Sequence, residues 1–322
     1  MEEKLNLIKQ ILESGNLNCN HGLYVELFEH RITKYVNSKY AIAVNSGTAA
    51  LHTALLALDI GHGDEVIVPA WTFISTVSAV VMCGATPVFA DISENSFNLD
   101  QDSILEKITP KTKAVIIVHL NGIPMDFTEI GWILYDDGIA IIEDACQALG
   151  AELCDEKVGI IGDIGVYSFY PSKIITTGEG GMIVTNKKKL AKKCRLIKDH
   201  GRTKHFYAER LGFNYRMTEI QGALGCVELK DIDKRIEDNV LNYSFVKMNL
   251  KSDDIKFPKI PKNTKIAPTY INAWRFKFKK HNHHYKKKET YTPIYKLPPF
   301  KQDIELKWTE YAAKFGVFID LL

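Results

Sequence analysis

Lys173 stands in the segment SFYPSKIITTGEGG, between an aromatic strand end and a turn rich in threonine and glycine. A lysine held among apolar groups favours the neutral amine, a nucleophile that can form a Schiff base with a carbonyl carbon. Most lysines are only solvated surface charges, so Lys173 alone would be weak evidence for such chemistry. Its neighbours in the sequence strengthen the hypothesis.

A phosphate-binding turn is predicted at NSGTAAL, which runs from Asn45 to Leu51. There the strand YAIAV turns through Ser-Gly-Thr into an alanine-rich helix. Free N–H groups at a helix start, two hydroxyls and a glycine that lets the backbone come close would cradle a phosphate. These residue types are also ordinary before a helix, so capping without any ligand explains this segment alone equally well.

A carboxylate and an amide follow an apolar strand in IIEDACQALGA. Asp144 ends the strand, and Gln147 lies three residues beyond. A carboxylate at a strand end can hold a positively charged ring nitrogen, and Gln147 could donate to an adjacent phenolate oxygen. An aspartate that only caps a helix is the favoured interpretation if this segment is taken by itself.

Two aromatic residues, Trp71 and Phe73, lie near a helix start in PAWTFISTVSAV. One ring could stack on a flat ligand, although we expect Trp71 to pack in the core. A phosphate cradle, a carboxylate for a ring nitrogen, a Schiff-base lysine and a stacking ring together are the parts of a pyridoxal phosphate site. Each part has an ordinary structural explanation, but all four together are hard to attribute to chance.

The four features follow strands of a predicted α/β sheet. From about Tyr40 to Val184, short β-rich runs alternate with helical ones, which is typical of a mostly parallel central sheet flanked by helices. The runs EVIVPA, TPVFADI, KAVIIVHL and IAIIEDA are predicted strands, and SGTAALHTALLAL and TFISTVSAVVMCG are predicted helices. VYSFYPSKIITTGEGGMIVTN is predicted to form two strands around a glycine-rich turn. Ligands of open α/β sheets bind at the carboxyl ends of strands, where these features should converge.

Long amphipathic helices are predicted after the sheet, from KKKLAKKCRLIKDHG through RMTEIQGALGCVELKDIDKRIEDNVLNYSFVKMNL. The proline- and lysine-rich segment KSDDIKFPKIPKNTKIAP then indicates a crossing into a smaller domain. We predict a large domain over residues 1–240 and a small α+β domain over residues 241–322.

The composition favours small-molecule chemistry. Hydrophobic residues make up 46% and charged residues 25% of the 322 residues, and the net charge of +2 gives no field that would attract nucleic acid. The six cysteines include no CxxC pair, which fits free thiols in a reducing cytoplasm. The charged start MEEKLNLIKQILESG predicts no export, and no long apolar run predicts a membrane span.

Six blocks of the sequence resemble the DegT/DnrJ/EryC1/StrS sugar aminotransferases, a fold-type-I pyridoxal-phosphate family, in that family's order and spacing. The resemblance runs from about residue 10 to residue 240. The blocks are NSGTAALHTALLAL, GDEVIVPAWTFISTVSAVVMCGATPVFADI, TPKTKAVIIVHLNGIPMD, IIEDACQALGA, GDIGVYSFYPSKIITTGEGGMIVTN and GFNYRMTEIQGALG.

The resemblance implies roles for individual residues. Lys173 matches the Schiff-base lysine, Asp144 the partner of the pyridine nitrogen and Gln147 the neighbour of the ring hydroxyl. Phe73 matches the ring that stacks on the cofactor. The phosphate ligands of the family match Gly47, Thr48 and Ser168. Asn214, in FNYR, resembles an asparagine that reaches the phosphate of the other subunit's cofactor, which implies a homodimer with shared active sites.

The sequences of the segments SKIITTGEGGMIVTN and FNYRMTEIQGALG are most similar to those of the perosamine-synthase-like branch of the family. Enzymes of that branch aminate C4 of a nucleotide-linked 4-keto-6-deoxy sugar. The resemblance therefore implies glutamate as the amino donor and an amino sugar that is used in glycan or surface polysaccharide biosynthesis. The resemblance implies four substrate-side residues: His119, Glu179, Tyr215 and Arg216.

The C-terminal part departs from the family pattern, since NAWRFKFKKHNHHYKKKETYTPIYKLPPF is compressed relative to a complete small domain. This difference affects the expectation for substrate recognition more than that for the cofactor site. Within the basic run 277–288, His281, His283 and His284 lack the spacing of zinc ligands, so we expect a solvated loop and no metal site.

Three alternatives remain open at the level of sequence. Relatives that remove the C3 hydroxyl of a sugar use a histidine in place of the lysine, and Lys173 argues against that reaction. A binding or regulatory protein that keeps the cofactor fold but has lost activity is a second alternative. A nucleotide-binding α/β protein without pyridoxal phosphate is a third, and it would lack a visible absorption band.

Overall fold

The computed structural model describes residues 2–20, 22–204, 206–250, 255–275, 287–288 and 290–320. Within these ranges the chain forms ten α-helices: α1 (Glu2–Ser14), α2 (Tyr24–Val36), α3 (Gly47–Ala57), α4 (Ser75–Met82), α5 (Gln101–Glu106), α6 (Thr128–Asp136), α7 (Lys188–Lys198), α8 (Glu219–Glu228), α9 (Ile232–Asn249) and α10 (Lys307–Phe315).

The same ranges contain sixteen strands: β1 (Tyr40–Val44), β2 (Glu65–Pro69), β3 (Thr86–Ala90), β4 (Thr112–Val118), β5 (Ala140–Asp144), β6 (Glu152–Leu153), β7 (Glu156–Lys157), β8 (Ile164–Ser168), β9 (Gly181–Thr185), β10 (Arg202–Lys204), β11 (Tyr207–Ala208), β12 (Ile255–Lys256), β13 (Thr264–Lys265), β14 (Tyr270–Arg275), β15 (Lys287–Lys288) and β16 (Gly316–Asp320). Short 3₁₀ helices lie at Leu120–Gly122, Leu229–Asp231, Ile294–Lys296 and Pro298–Phe300.

A central sheet of seven described strands has the order β1-β9-β8-β5-β4-β2-β3. The pairs β3–β2, β2–β4, β4–β5 and β5–β8 are parallel, whereas β9 pairs antiparallel with both β8 and β1. Strands β1, β2, β5 and β8 therefore point the same way, and their carboxyl ends meet at one edge. The predicted mostly parallel α/β sheet is confirmed.

Apolar side chains cover both faces of this sheet, because alternate residues of a strand point to opposite sides. In β4, Ala114, Ile116 and Val118 join one hydrophobic cluster, while Val115 and Ile117 join a second. Fully burying one such aliphatic side chain contributes about 1.5–3 kcal/mol. The near-continuous apolar runs of the sequence reflect this double burial.

The helices that border the edge begin at residues suited to helix starts. Ser46 caps α3 by accepting a hydrogen bond from the Ala49 amide at 3.1 Å. Thr218 and Gln221 form a reciprocal capping box at the start of α8. The predicted helices between residues 216 and 250 are present as α8 and α9, separated by a short 3₁₀ turn.

A second, antiparallel sheet of order β12-β14-β16-β15 lies in the C-terminal part of the described chain. One side of it packs with α9 in a small cluster that includes Val246, Ile271 and Val317. On the other side, Trp274 stacks on Phe97 with ring centroids 4.1 Å apart, which joins this sheet to the main core. The predicted domain boundary at residue 240 falls inside α9 and stays a prediction.

No helix in the described part of the chain is both long and apolar enough to cross a membrane. All six cysteines are free thiols, of which Cys194 and Cys226 are buried.

Candidate active site

A cavity of about 490 Å³ opens at the carboxyl ends of β1, β2, β5 and β8. Eight of the residues predicted for the site contribute to its walls: Gly47, Thr48, Phe73, Asp144, Gln147, Ser168, Lys173 and Glu179. Segments far apart in the sequence therefore converge at one edge of the sheet.

The start of α3 forms one wall of the cavity. The Thr48 hydroxyl lies 2.7 Å from the hydroxyl of Ser75, which begins α4. A Cβ atom placed on Gly47 would lie 2.9 Å from Cβ of Ser168 and 3.1 Å from Sγ of Cys146. Because glycine leaves this space open, first-turn amides of α3 border a concave surface with hydroxyls on two sides. The positive end of the helix dipole suits an anion there.

Asp144 ends β5 and is 6% exposed. Its carboxylate accepts hydrogen bonds from the Thr76 hydroxyl at 2.9 Å and from the Cys146 amide at 3.2 Å. These two donors fix the carboxylate at the cavity wall, where it can pair with a cationic group.

Gln147 has a defined amide orientation. Its Oε1 accepts from the backbone amide of Asn121 at 2.9 Å, and its Nε2 donates to the Tyr291 hydroxyl at 3.4 Å. Because a backbone N–H can only donate, the oxygen of Gln147 faces Asn121. The NH₂ group is therefore the end turned toward Tyr291 and the cavity.

Lys173 lies in the loop between β8 and β9 and is half-buried. Its backbone amide donates to the Tyr170 carbonyl at 2.9 Å, which closes a tight turn. The Lys173 side chain lines the cavity together with Asp144. The positive charge of Lys173 also acts on the nearby Cys146 thiol.

The two aromatic candidates differ in their environment. Trp71 is fully buried and packs in the main core, as predicted, with its ring T-shaped against Tyr291 at 5.8 Å. Phe73 is 56% exposed and lines the cavity. An exposed ring beside a polar cavity is available to stack on a flat ligand.

Asn214 and Arg216 line a neighbouring depression of about 570 Å³ and do not line the cavity itself. Ser46 and Glu179 border both spaces, so the depression and the cavity adjoin. Arg216 pairs with Asp199, and burial would raise the pKa of Asp199, but hydrogen bonds from Arg202 and Arg216 outweigh it and hold that pKa below its usual value.

Two predicted substrate-side residues, His119 and Tyr215, line neither the cavity nor the adjoining depression. His119 is fully buried, with Nε2 3.0 Å from a Glu143 carboxylate oxygen and Nδ1 accepting from the Met125 amide at 3.1 Å. A ring nitrogen that accepts a backbone N–H carries no proton, so His119 is the neutral tautomer that donates to Glu143. The contact with Glu143 joins the residue that follows β4 to β5, away from the lining of the cavity.

Tyr215 also points inward. Its hydroxyl lies 3.0 Å from Nδ1 of His52, and its ring stacks on Phe213 with centroids 5.1 Å apart. Burial raises the pKa of Tyr215 and lowers that of His52. Both groups are therefore neutral near neutral pH, and neither lines the cavity.

Ser46 and Leu51 of the predicted phosphate-binding turn also line the cavity. Other cavity residues were given no role from the sequence, namely Ser75, Thr76, Cys146, Tyr170, Ser172, Tyr270 and Tyr291. Burial raises the pKa of the Cys146 thiol well above its ordinary value, and the nearby Asp144 adds to that rise. Burial also raises the pKa of Tyr291 to about 12. Cys146 stands between two predicted residues and could have been found, whereas Tyr270 and Tyr291 reach the cavity only through tertiary packing.

No group of three or more His, Cys, Asp or Glu side chains suited to a metal ion occurs among the described residues. His281, His283 and His284, with most of the basic run, lie outside those residues.

A family model for the DegT/DnrJ/EryC1/StrS aminotransferase family matches residues 1–303. Among curated relatives, the GDP-perosamine synthase of Caulobacter vibrioides is 45% identical over 217 residues, which is 67% of this chain and 58% of that protein. The GDP-perosamine synthase of Escherichia coli O157:H7 is 41% identical over 233 residues, 72% of this chain and 64% of that protein. The matched segment thus spans about three fifths of these relatives' length.

Solved structures agree over nearly the whole chain. The aminotransferase from Psychrobacter cryohalolentis superposes with a TM-score of 0.90 at 30% identity, covering 100% of this chain and 92% of that one. DesV of S. venezuelae, solved in complex with a ketimine intermediate, gives a TM-score of 0.92 at 28% identity, covering 99% and 89%.

Proposed function

This chain belongs to the DegT/DnrJ/EryC1/StrS aminotransferase family, and from that membership we propose that it transfers an amino group to a nucleotide-linked keto-sugar, with pyridoxal 5′-phosphate as cofactor. The observation that carries the proposal is the convergence of Lys173, Asp144, Gln147 and the start of α3 on one cavity. The substrate is a 4-keto-6-deoxy sugar, the amino donor is glutamate, and the product serves polysaccharide biosynthesis. The relatives named GDP-perosamine synthase support this choice.

The residues present fit pyridoxal phosphate. The Gly47 concavity and the hydroxyls of Thr48 and Ser168 would hold its phosphate, because they combine open space, hydroxyls and a helix start. Asp144 is a fixed carboxylate for its ring nitrogen, and Phe73 is an exposed ring for its face. When bound, pyridoxal phosphate supplies an electron-accepting ring conjugated to the carbon that exchanges its amino group.

The chain's own residues then perform separate tasks. Asp144 would hold the proton on the ring nitrogen of the cofactor, and the NH₂ of Gln147 would donate to the neighbouring ring oxygen. Lys173 Nζ would hold the cofactor covalently when no substrate is bound. Not bound to the cofactor, the same amine in its neutral form would take a proton from the α-carbon of the amino donor, and in its protonated form it would later deliver a proton to C4 of the sugar.

Glu179 and Arg216 are the proposed substrate-side residues. Glu179 borders both the cavity and the adjoining depression, and Arg216 lies in that depression. Arg216 could face the phosphates of the nucleotide, since guanidinium groups bind phosphate in bidentate geometry. The nucleotide would supply binding energy away from the reacting carbon.

The catalytic unit is a homodimer in this proposal, and Asn214 of each chain serves the cofactor phosphate of the other. The position of Asn214 supports this assignment. Asn214 lies in the depression that adjoins the cavity and does not line the cavity of its own chain. Its backbone is fixed by a β-bridge to Asp199 and by an Asn45 side-chain donor at 3.3 Å.

A direct assay tests the function. The protein is incubated with pyridoxal phosphate, glutamate and a panel of nucleotide-linked keto-sugars, and the aminated product is sought by mass spectrometry. We expect product with a 4-keto-6-deoxy sugar and none with Lys173→Ala. Borohydride reduction and peptide mapping should leave the pyridoxyl group on Lys173. A wild-type protein that binds no cofactor, or labelling of a different lysine, would contradict the proposal.

A further inference from the structure

The 3₁₀ turn Leu120–Gly122 connects the cavity with the C-terminal sheet. Its middle residue, Asn121, is 1% exposed and has φ 53° and ψ 29°, a left-handed conformation that asparagine adopts more readily than most residues. Gly122 has φ 79°, and a Cβ there would lie 1.9 Å from the Ala267 carbonyl oxygen. The turn is therefore tightly fitted against the chain that leads into β14.

Asn121 contacts a cavity residue with its backbone and the C-terminal sheet with its side chain. Its amide donates to Oε1 of Gln147 at 2.9 Å. Its side-chain Nδ2 donates to Oδ1 of Asn272, which lies within β14 and is 2% exposed. One buried residue thus bonds both Gln147 and a strand of the second sheet.

The ends of the same turn are held from another direction. The Leu120 amide donates to Oδ1 of Asn98 at 3.0 Å, and Nδ2 of Asn98 donates to the Ile123 carbonyl at 3.0 Å. Asn98 therefore fixes the ends of the turn, while Asn272 fixes its middle. Without Asn272, a buried amide of Asn121 would lose its partner, and the middle of the turn would move to regain one.

We propose that Asn121 and Asn272 are positioning residues that hold the amide of Gln147 with its NH₂ group toward the cavity. The inference rests on the proposed function insofar as that NH₂ group donates to an oxygen of bound pyridoxal phosphate. A Gln147 side chain released from Asn121 can rotate its amide, which replaces the cavity-facing donor with an acceptor.

Spectroscopic titration of the bound cofactor tests this role. The pH midpoint of the visible band and the dissociation constant of pyridoxal phosphate are measured for wild type, Gln147→Ala, Asn272→Ala and the double variant. Asn272→Ala should shift the midpoint in the same direction as Gln147→Ala and weaken binding about two- to tenfold, the equivalent of one net hydrogen bond. In the double variant, Asn272→Ala should add nothing to the effect of Gln147→Ala.

The matched control is Thr309→Ala. Thr309 is also a fully buried polar residue of the C-terminal part, and its hydroxyl donates to Asp91 at 2.7 Å. This variant should lose stability and leave the band unchanged. If Asn272→Ala does not fold, Asn121→Gly keeps the left-handed backbone and the amide donor while it removes the same contact. An unchanged midpoint in that variant, or additive shifts in the double variant, would overturn the proposal.

A cofactor-free measurement separates this inference from the proposed function. Backbone hydrogen exchange at Asn121 should be faster in Gln147→Ala and in Asn272→Ala than in wild type, and unchanged in Thr309→Ala. A wild-type protein without a visible band would refute the proposed function, and the exchange rates would still decide the positioning role. Unchanged exchange in Asn272→Ala would refute that role.

Discussion

Asp144 is held by two donors and turned toward the cavity, so its charge is available at a fixed point. We expect Asp144→Asn to bind pyridoxal phosphate and to reduce the rate of amino transfer by about 10²-fold or more, the size of effect that one positioned polar group contributes elsewhere. The reason is that the neutral amide cannot hold a proton on the ring nitrogen. Steady-state turnover and absorbance titration measure the two quantities.

Asp100→Asn is the control for this substitution. Asp100 caps α5 by accepting from the Ser103 amide at 3.0 Å, outside the cavity, and asparagine caps a helix equally well. Turnover should be unchanged in this variant. Near-normal turnover in Asp144→Asn would remove that residue from the mechanism.

At the scale of elements, the start of α3 depends on the absence of a side chain at Gly47. In Gly47→Ala the new methyl group would lie 2.9 Å from Ser168 Cβ. We expect overpacking to lower the free energy of unfolding by about 1–3 kcal/mol and to weaken pyridoxal phosphate binding, because the added atom occupies the concave surface. Urea unfolding and absorbance titration check both effects.

Gly131→Ala is the control for this substitution, and it should change the free energy of unfolding in the opposite direction. Gly131 lies within α6, and a Cβ there meets only an ordinary contact with Phe127 at 4.0 Å. Alanine should raise the free energy of unfolding by about 0.5–1 kcal/mol without a change in cofactor binding. Equal cofactor affinity in Gly47→Ala and Gly131→Ala would show that the α3 start does not bind the phosphate.

Glu228 connects three helices, since Lys4 of α1 and Arg235 of α9 both donate to its carboxylate at the end of α8. Burial would raise the pKa of Glu228, but the hydrogen bonds from Arg235 and Lys4 outweigh it and lower that pKa below 4.5. A depressed folded-state pKa stabilises the protein above the unfolded-state value, and this stabilisation is lost as the pH falls through the folded-state pKa.

Glu228→Gln should therefore lower the free energy of unfolding at neutral pH by on the order of 1–3 kcal/mol. The difference from wild type should shrink as the pH falls below 4.5. Urea unfolding at several pH values measures it, with the exposed Glu237 of the same α9 as a control that changes little as Glu237→Gln. A difference that stays constant down to acid pH would contradict the assigned ion pairs.

The central elements were predictable because the central strands carry near-continuous apolar runs, and the site residues end these strands or lie in the segments that follow them. Asp144 and Ser168 end strands, so their convergence follows from parallel pairing alone. Tyr291 was not predictable, because it reaches Gln147 from 144 residues away through packing of the C-terminal part. The position of His119 was not predictable either, since its buried ring bonds Glu143 and does not line the cavity.

For the whole molecule, the proposed homodimer with shared active sites predicts a distinctive result when two inactive variants are combined. Lys173→Ala and Asn214→Ala should each lose most activity as separate proteins. Unfolding and refolding them together forms mixed dimers, in which one of the two sites has both Lys173 and the other chain's Asn214 intact. We expect activity to return in the mixture, measured by product mass.

Refolding each variant alone is the control and should restore nothing. If Asn214 served the cavity of its own chain, mixed dimers would contain no intact site, and the mixture would stay inactive. A fully active monomer in size-exclusion chromatography would also exclude this arrangement.

The residues that line the cavity come mostly from one part of the chain. All of its lining residues lie between Ser46 and Glu179 except Tyr270 and Tyr291. In the proposed function, substitutions after α9 could therefore change the shape of the cavity toward the sugar without changing the residues proposed to hold the cofactor. The Asn121–Asn272 contact limits this independence, so Asn272 should tolerate fewer substitutions during divergence than its neighbours in β14.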